Sequence, residues 1–214
     1  MAKTDLEFWF DFASTYSYLS AMRIEALARA VDIDVIWRPF LLGPIFKAQG
    51  WNSSPFNIYP AKGRYMFRDL ERIAEERGFA FLRPEPFPQN SLLAARAALA
   101  LEGTSAMAEF VKAVFVLLFA DGQDISDPAT IAAALVRSGH SGGDLVGPRD
   151  VLAAAASDTI KSKLRLQTEQ AAAFEIFGAP TFRTSDGEIF WGDDRLESAL
   201  QWVDRKGETN RTGT

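Results

Sequence analysis

Two apolar segments separated by a helical pattern decide what the first 40 residues can fold into. Leu6 to Phe12 (LEFWFDF) is rich in aromatic residues, which predicts a buried strand. Residues 16–31 carry apolar side chains at mostly helical intervals, and Ile33 to Trp37 (IDVIW) alternates as a second strand that stops at Pro39. Strand, helix and strand at this spacing predict a βαβ unit, whose two strands run parallel.

The middle of the chain is predicted to be helical. Its apolar residues recur at helical spacing, and segments rich in Pro or Gly, such as 84–88 and 139–143, separate one pattern from the next. The predicted helices cover residues 60–77, 91–102, 105–120, 128–137, 149–156 and 158–174.

The chain returns to β-structure near its end. Thr181 to Thr184 and Glu188 to Trp191 flank a Ser-Asp-Gly turn, which predicts an antiparallel hairpin. A last helix is predicted from Asp194 to Val203, with Asp194 as its cap and Glu197 as the capping-box partner.

The order βαβ, helical segment, ββα predicts an α/β fold: a thioredoxin-like sheet with a large all-helical insertion. Residues 1–40 and 175–214 are expected to form the thioredoxin-like domain, and residues 41–174 the helical insertion domain with its connecting helix. This topology brings the end of the first strand, the start of the hairpin and the turn after the hairpin to one edge of the sheet.

Composition excludes several kinds of chemistry. The chain has no cysteine, so disulfides, thiolate metal sites and a dithiol redox cycle within it are excluded. Its one histidine, His140, falls in a Gly/Ser segment and is predicted to be an exposed bystander, so a zinc site built on several imidazoles is excluded and no metal site is predicted. The net charge of −5 argues against a nucleic-acid partner, because phosphate binding needs a basic face.

The first five residues lack the apolar core of a signal peptide. The longest apolar stretch, residues 113–120, is too short to span a bilayer. We therefore expect a cytoplasmic protein without a membrane partner.

Ser14 follows the first strand and opens a helix, at the place where thioredoxin-like redox proteins carry the first cysteine of C-x-x-C. The unpaired N–H groups and the dipole at a helix start favour an anion there. Without a neighbouring base a serine hydroxyl is a poor nucleophile, so two roles stay open. Ser14 caps the helix, or it donates a hydrogen bond to a bound thiolate or oxyanion.

Two later signals fall near the same edge of the predicted sheet. Pro180 opens a strand after Ala179. Either it only ends the preceding helix or, if the Ala179–Pro180 bond is cis, the turn exposes the Ala179 backbone to an extended peptide. Asp193 and Asp194 stand at a strand-to-helix turn, where they either bind a ligand's ammonium group or provide a helix cap and a surface ion pair.

Five stretches carry a resemblance to a known family, and they run from residue 8 to about residue 196. GAPTF alone is shared by many thioredoxin-like proteins, whereas a serine in the first redox position together with PAKGRYM and WGDDRL is far more specific. On these residues the chain resembles the 2-hydroxychromene-2-carboxylate isomerases, relatives of the kappa-class glutathione transferases and of DsbA-like thioredoxin-fold proteins. The stretches are FWFDFASTYSYL, GWNSSPFNIYPAKGRYMFRDLERIA, FPQNSLLAARAAL, FGAPTF and FWGDDRL.

The resemblance implies a glutathione-dependent cis-trans isomerase. Ser14 falls on the family's catalytic serine, which holds the sulfur of glutathione as a thiolate. The backbone of Ala179, before a cis Pro180, would pair with the tripeptide, and Asp193 and Asp194 fall on the turn that binds its γ-glutamyl end. The thiol that this chain lacks would then come from glutathione.

On the same resemblance, the thiolate adds to the chromene ring of a small bicyclic aromatic acid. The ring opens, a bond rotates, and loss of glutathione leaves the trans-benzylidenepyruvate. The step belongs to the catabolism of naphthalene-like aromatic compounds, and the family's members suggest a homodimer. Where the family usually has Ser-Pro-Tyr, this chain has Ser14-Thr15-Tyr16, which weakens the preorganisation of the turn.

Candidate substrate-binding residues lie in or near the segment that lines the family's second site. A lysine there would offset the carboxylate of an aromatic acid, although each of these residues can equally be a solvated surface residue. Asn90 can instead cap the helix from Ser91, and Tyr16 either reaches the sulfur site or packs against the insertion. The candidates are Lys47, Asn52, Ser53, Lys62, Asn90 and Tyr16.

Two other functions fit the same residues. A kappa-class-like glutathione transferase or peroxidase of broad specificity would conjugate a halonitrobenzene without isomerising chromenes. A non-catalytic binding or chaperone-like protein would keep the thioredoxin fold and show no affinity for glutathione.

Overall fold

A computed structural model describes residues 4–139 and 147–212. His140, which was expected to be exposed in a Gly/Ser segment, lies outside these ranges. Within them, no helix is long and apolar enough to cross a membrane, and no group of three or more acidic, histidine or cysteine side chains is arranged to hold a metal ion.

Within the two described ranges, four strands form one mixed sheet in the order β2-β1-β3-β4. The strands are β1 (Thr4–Phe10), β2 (Ile33–Pro39), β3 (Thr181–Thr184) and β4 (Ile189–Trp191). β1 and β2 are parallel, with Phe8 opposite Trp37, whereas β3 runs antiparallel to both β1 and β4. The predicted βαβ unit and the predicted C-terminal hairpin are both confirmed.

The six helices predicted between residues 60 and 174 lie within two residues of their predicted bounds, and two of them begin and end as predicted: 60–77 and 128–137. The helices are α1 (Thr15–Ala21), α2 (Ile24–Ala30), α3 (Leu42–Ala48), α4 (Pro55–Ile58), α5 (Pro60–Arg77), α6 (Leu92–Ala100), α7 (Ala106–Phe119), α8 (Pro128–Arg137), α9 (Pro148–Ala155), α10 (Asp158–Ala173) and α11 (Leu196–Thr212).

Three helical features differ from the prediction. The helix expected over residues 16–31 is two helices, broken at Met22 and Arg23. α3 and α4 were not predicted, because Gly43, Pro44 and Pro55 are typical of loops, although proline is tolerated in the first turn of a helix.

The predicted capping box of Asp194 and Glu197 is wrong. Asp194 lies inside a short 3₁₀ helix, Asp193–Arg195, which precedes α11. The Glu197 carboxylate forms an ion pair with the Arg23 guanidinium, so it is directed to a neighbouring element.

Both faces of the sheet are covered, which explains why β1 is apolar at successive positions. On one face Phe8 stacks on Phe182 with ring centroids 5.5 Å apart, and Phe10 lies 6.0 Å from Phe115 of α7. On the other face Trp9 packs with Phe40, Ala171 and other apolar residues in a second cluster. The order of elements is that of a thioredoxin-like α/β fold with a helical insertion, while the exact division at residues 40 and 175 stays a prediction.

Candidate active site

A cleft of about 1790 Å³ opens where β1 meets α1 and where β3 and β4 meet the 3₁₀ helix. All eleven residues that the sequence nominated as site residues line it. They are Ser14, Tyr16, Lys47, Asn52, Ser53, Lys62, Asn90, Ala179, Pro180, Asp193 and Asp194. The structure thus brings together residues that are up to 180 positions apart, and their individual roles depend on the contacts described below.

The Ser14 hydroxyl makes two hydrogen bonds at the start of α1. Its oxygen accepts from the Ser17 N–H at 3.3 Å, which is the contact of a helix cap. The hydroxyl also donates to the Ala179 carbonyl oxygen at 2.9 Å. The residue is 8% exposed, and the Ala179–Pro180 bond that follows its acceptor is cis. The hydroxyl therefore caps the helix through its oxygen and keeps its proton for an acceptor outside the helix, so the cap does not exclude the role of donor to a bound anion, which stays a prediction.

Asp11, at the end of β1, fixes the loop that carries Ser14, and the sequence reasoning missed it. Its backbone carbonyl accepts from the Ser14 N–H at 2.9 Å. Its buried carboxylate accepts from the Ser91 hydroxyl at 2.6 Å and from the Leu42 N–H at 2.7 Å. Burial raises the pKa of Asp11, although hydrogen bonds from Leu42, Ser91 and Ala13 oppose the rise. An acidic residue directly after a buried aromatic strand was the available signal.

We expect Asp11→Asn to lower the free energy of unfolding at pH 7 by about 1–3 kcal/mol, because an amide placed in this network turns one acceptor into a donor. The pKa of Asp11 in the folded state lies above its ordinary value of 3.8. As the pH rises from 3.8 through the folded-state pKa, ionisation of Asp11 therefore lowers the free energy of unfolding of the wild type. The wild-type advantage over Asp11→Asn should therefore shrink as the pH rises above 3.8. Urea unfolding at several pH values measures the difference in the free energy of unfolding between the wild type and Asp11→Asn. A difference that grows with pH would contradict the raised pKa of Asp11.

Tyr16 is tied to the helical insertion. Its hydroxyl donates to the Asp69 carboxylate on α5 at 2.9 Å, and Asp69 also pairs with Arg72 at 3.2 Å. Burial, followed by the hydrogen bond to Asp69 and the charge of Asp69, raises the pKa of Tyr16. Of the two roles left open by the sequence, contact with the insertion is the one present in this structure.

Asp193 and Asp194 are adjacent but face different surroundings. Asp193 is 4% exposed, and its carboxylate accepts from the Ser20 hydroxyl at 2.8 Å, from Arg23 at 3.2 Å and from Arg77 at 2.7 Å. The Asp194 side chain is 73% exposed and pairs with Arg195 at 3.2 Å. Binding of a ligand ammonium, predicted for both residues, therefore fits the geometry of Asp194, whereas Asp193 anchors the turn.

The other side of the cleft combines cationic, polar and aromatic side chains. Lys47 is exposed at the end of α3, and the Lys62 ammonium lies 4.9 Å from the centre of the Tyr59 ring. The Asn90 amide oxygen accepts from the Leu92 N–H, the first of α6, at 3.0 Å, although Ser91 and not Asn90 is the cap residue of that helix. Aromatic residues that the sequence reasoning did not nominate also line this side: Phe46, Trp51, Phe56, Tyr65 and Phe87.

Comparisons with known proteins identify the family and the fold of the chain. A family model of the DsbA-like thioredoxin domain matches residues 5–203. The chain belongs to the DsbA-like thioredoxin family. Within it, the chain is 32% identical over 210 residues to a 2-hydroxychromene-2-carboxylate isomerase of Pseudomonas sp. (strain C18), covering 95% of this chain and 93% of that enzyme.

Two further relatives of this DsbA-like protein cover almost its whole length. Human glutathione S-transferase kappa 1 is 28% identical over 202 residues, which is 90% of this chain and 87% of the transferase. A solved structure of a 2-hydroxychromene-2-carboxylate isomerase superposes with a TM-score of 0.83 at 24% identity, covering 98% of this chain and 99% of that chain. The predicted family and fold are confirmed.

In this DsbA-like protein, Gly63 allows α4 and α5 to approach each other at the aromatic side of the cleft. A Cβ atom at position 63 would come closer to the Phe56 carbonyl oxygen than van der Waals contact allows. The clash is with backbone, so relief requires α4 to move.

We expect Gly63→Ala to lower the free energy of unfolding by about 1–3 kcal/mol, as overpacking does. Displacement of Phe56 should also raise the KM of an aromatic substrate. Gly43→Ala is the matched control, because it lies on α3 in the same cleft and its added Cβ would meet nothing within 4 Å. Thermal melts and initial rates of both variants test the expectation, which is wrong if the two behave alike.

Proposed function

We propose that the chain is a glutathione-dependent isomerase of small bicyclic aromatic acids of the 2-hydroxychromene-2-carboxylate type. The observation that carries the proposal is the position of the Ser14 hydroxyl. It stands at the start of α1, in contact with the Ala179 backbone, on the wall of a cleft large enough for a tripeptide and a bicyclic acid. The chain has no cysteine, so thiol chemistry here requires a thiol from a ligand.

Glutathione would lie along the edge formed by α1, β3 and the 3₁₀ helix. Its sulfur would accept a hydrogen bond from the Ser14 hydroxyl and face the positive end of α1, both of which favour the thiolate over the thiol. Its peptide backbone would pair with Ala179, and its γ-glutamyl ammonium with the exposed Asp194 carboxylate. The names of the relatives, an isomerase and a glutathione transferase, support a glutathione-binding site.

The reaction needs no redox step and consumes no glutathione. The thiolate adds to the benzylic carbon of the ring double bond, and the electron pair of that bond shifts toward the carboxylate-bearing carbon as the ring carbon–oxygen bond breaks. The oxygen leaves as a phenoxide that takes up a proton, and the former double bond rotates because it is now single. Loss of the enol proton then leaves the keto group as the thiolate is eliminated, which restores the double bond in the trans form and regenerates glutathione. Ser14 contributes by stabilising the sulfur anion, which is both the attacking group and the leaving group.

The aromatic acid would occupy the side of the cleft formed by α3, α4 and α5. Phe46, Trp51 and Phe56 provide apolar surface for a bicyclic ring. Lys47 and Lys62 provide positive charge for the carboxylate, and Asn52 and Ser53 offer hydrogen bonds to its oxygens. A homodimer, as in the family, is part of the proposal, and light scattering tests it separately.

Calorimetric titration of glutathione followed by an ultraviolet assay of chromene isomerisation tests the proposed function. Micromolar to millimolar binding together with glutathione-dependent turnover is the expected result. The similarity to the human kappa-class transferase favours a second function, conjugation of glutathione with electrophiles. Conjugation of a halonitrobenzene without isomerisation would replace the first function by the second, and absence of glutathione binding would leave a non-catalytic binding protein.

A further inference from the structure

Arg77, in the last turn of α5, forms part of the cleft wall beside the 3₁₀ helix. Its guanidinium donates to the Asp193 carboxylate at 2.7 Å, and its side chain is 29% exposed. Among the described residues, Asp193 is the residue that forms an ion pair with Arg77. A guanidinium has five N–H donors, so one contact leaves donors for a ligand in the cleft.

The Asp193 carboxylate holds Arg77 in place because other contacts fix that carboxylate. Ser20 and Arg23 bind its Oδ1 atom, and Arg77 binds Oδ2. Burial disfavours the charge of Arg23, but its contacts with Glu197 and Asp193 hold its pKa above the ordinary value. The buried carboxylate is therefore shared between two cations, and Arg77 keeps positive charge on its cleft side.

The next residue along the chain places a negative charge in the same cleft. Asp194 directly follows Asp193, its carboxylate is exposed, and both Asp194 and Arg77 line the cleft. A cation and an anion beside one turn match an α-amino-acid group, whose carboxylate and ammonium are attached to the same carbon.

We propose that Arg77 binds the α-carboxylate of the γ-glutamyl residue, beside Asp194, to which the proposed function already assigns the ammonium of the same residue. This inference rests on the proposed binding of glutathione. It makes the helical insertion, through α5, a contributor to glutathione affinity as well as to the aromatic side of the cleft. Arg77 is a binding residue here, and Asp193 is a positioning residue that acts through it.

Calorimetric titration with three tripeptides separates the two contacts. Glutathione carries both α-groups, 4-aminobutyryl-Cys-Gly lacks the α-carboxylate, and glutaryl-Cys-Gly lacks the α-amino group. We expect Arg77→Leu to weaken glutathione and the glutaryl analogue about tenfold or more while leaving the 4-aminobutyryl analogue unchanged. Asp194→Ala should weaken glutathione and the 4-aminobutyryl analogue while leaving the glutaryl analogue unchanged. Arg68→Leu is the matched control, because Arg68 is an exposed arginine on α5 that pairs with Glu71.

The outcomes distinguish the two proposals. If the wild type binds no glutathione, the proposed function is overturned. If the wild type binds glutathione but Arg77→Leu weakens glutathione and the 4-aminobutyryl analogue by the same factor, only the assignment of Arg77 to the carboxylate is overturned. Folding of each variant is checked by circular dichroism, and Arg77→Lys, which keeps the charge, should restore part of the lost affinity if Arg77→Leu is poorly folded.

Discussion

Replacing Ser14 with Ala is expected to reduce glutathione-dependent turnover by about 100- to 1000-fold at neutral pH, the loss typical of removing one preorganised donor to a developing anion. The same change should raise the pKa of the bound glutathione thiol, since the donor that favours the charged sulfur is gone. Affinity for glutathione should fall much less, because the proposed peptide contacts at Ala179 and Asp194 do not involve the Ser14 side chain.

Ser157→Ala is a close structural control for Ser14→Ala. Ser157 caps α10 by accepting from the Ile160 N–H at 3.3 Å, and its hydroxyl donates to the Ala154 carbonyl at 2.6 Å. The pattern of contacts is the same as at Ser14, but Ser157 does not line the cleft. Both variants should lose about 1 kcal/mol of stability as caps, and only Ser14→Ala should change the ultraviolet titration of the bound thiolate. An unchanged thiol pKa in Ser14→Ala would refute the catalytic role of the hydroxyl.

Asp193→Ala is expected to lower the free energy of unfolding by about 3 kcal/mol, because it leaves the side chains of Arg23 and Arg77 without the buried anion that pairs them. The value is taken at the low end of the range for broken buried pairs, since Arg77 is 29% exposed and water can replace part of the contact. Glutathione affinity should also fall, because the turn that presents Asp194 loses its anchor.

Asp194→Ala provides the comparison for Asp193→Ala. It removes the same charge from the next residue, but the carboxylate is exposed, so its effect on stability should stay within about 0.5 kcal/mol. Urea unfolding of both variants tests the contrast, and Asp193→Asn, which keeps the shape of the side chain, should lie between them. Equal stability of the two alanine variants would show that the buried network contributes little.

The strands and the two halves of the sheet were predictable because local pattern and tertiary burial agree there. β1 is covered by apolar layers on both faces, and its run of consecutive aromatic residues indicates burial on both faces. α5 and α8 were placed correctly because buried apolar residues at helical spacing follow the proline at the first position of each. α4 also begins with a proline, but it is only four residues long, and α3 contains Gly43 and Pro44, so neither shows a repeated helical pattern.

The site divides in the same way. The sequence nominated the turn at residues 193–194, but it could not show which aspartate faces inward. Asp193 faces inward because its carboxylate pairs with Arg23 and Arg77, which are 170 and 116 positions away along the chain. Asp11 was missed for a similar reason, since its partners on α3 and α6 come together only in the folded structure.

The hydrogen bond from Ser14 to the Ala179 carbonyl implies that the proposed site prefers some sulfur ligands over others. A ligand must draw the hydroxyl away from a good neutral acceptor, and an ionised sulfur can do so because a charged acceptor forms the stronger bond. A thioether or a disulfide is a weaker acceptor than the carbonyl, so the hydroxyl stays with Ala179. S-alkylated and oxidised forms of the tripeptide should therefore be held less tightly than the reduced form, and this difference should widen as the pH favours ionisation of the free thiol.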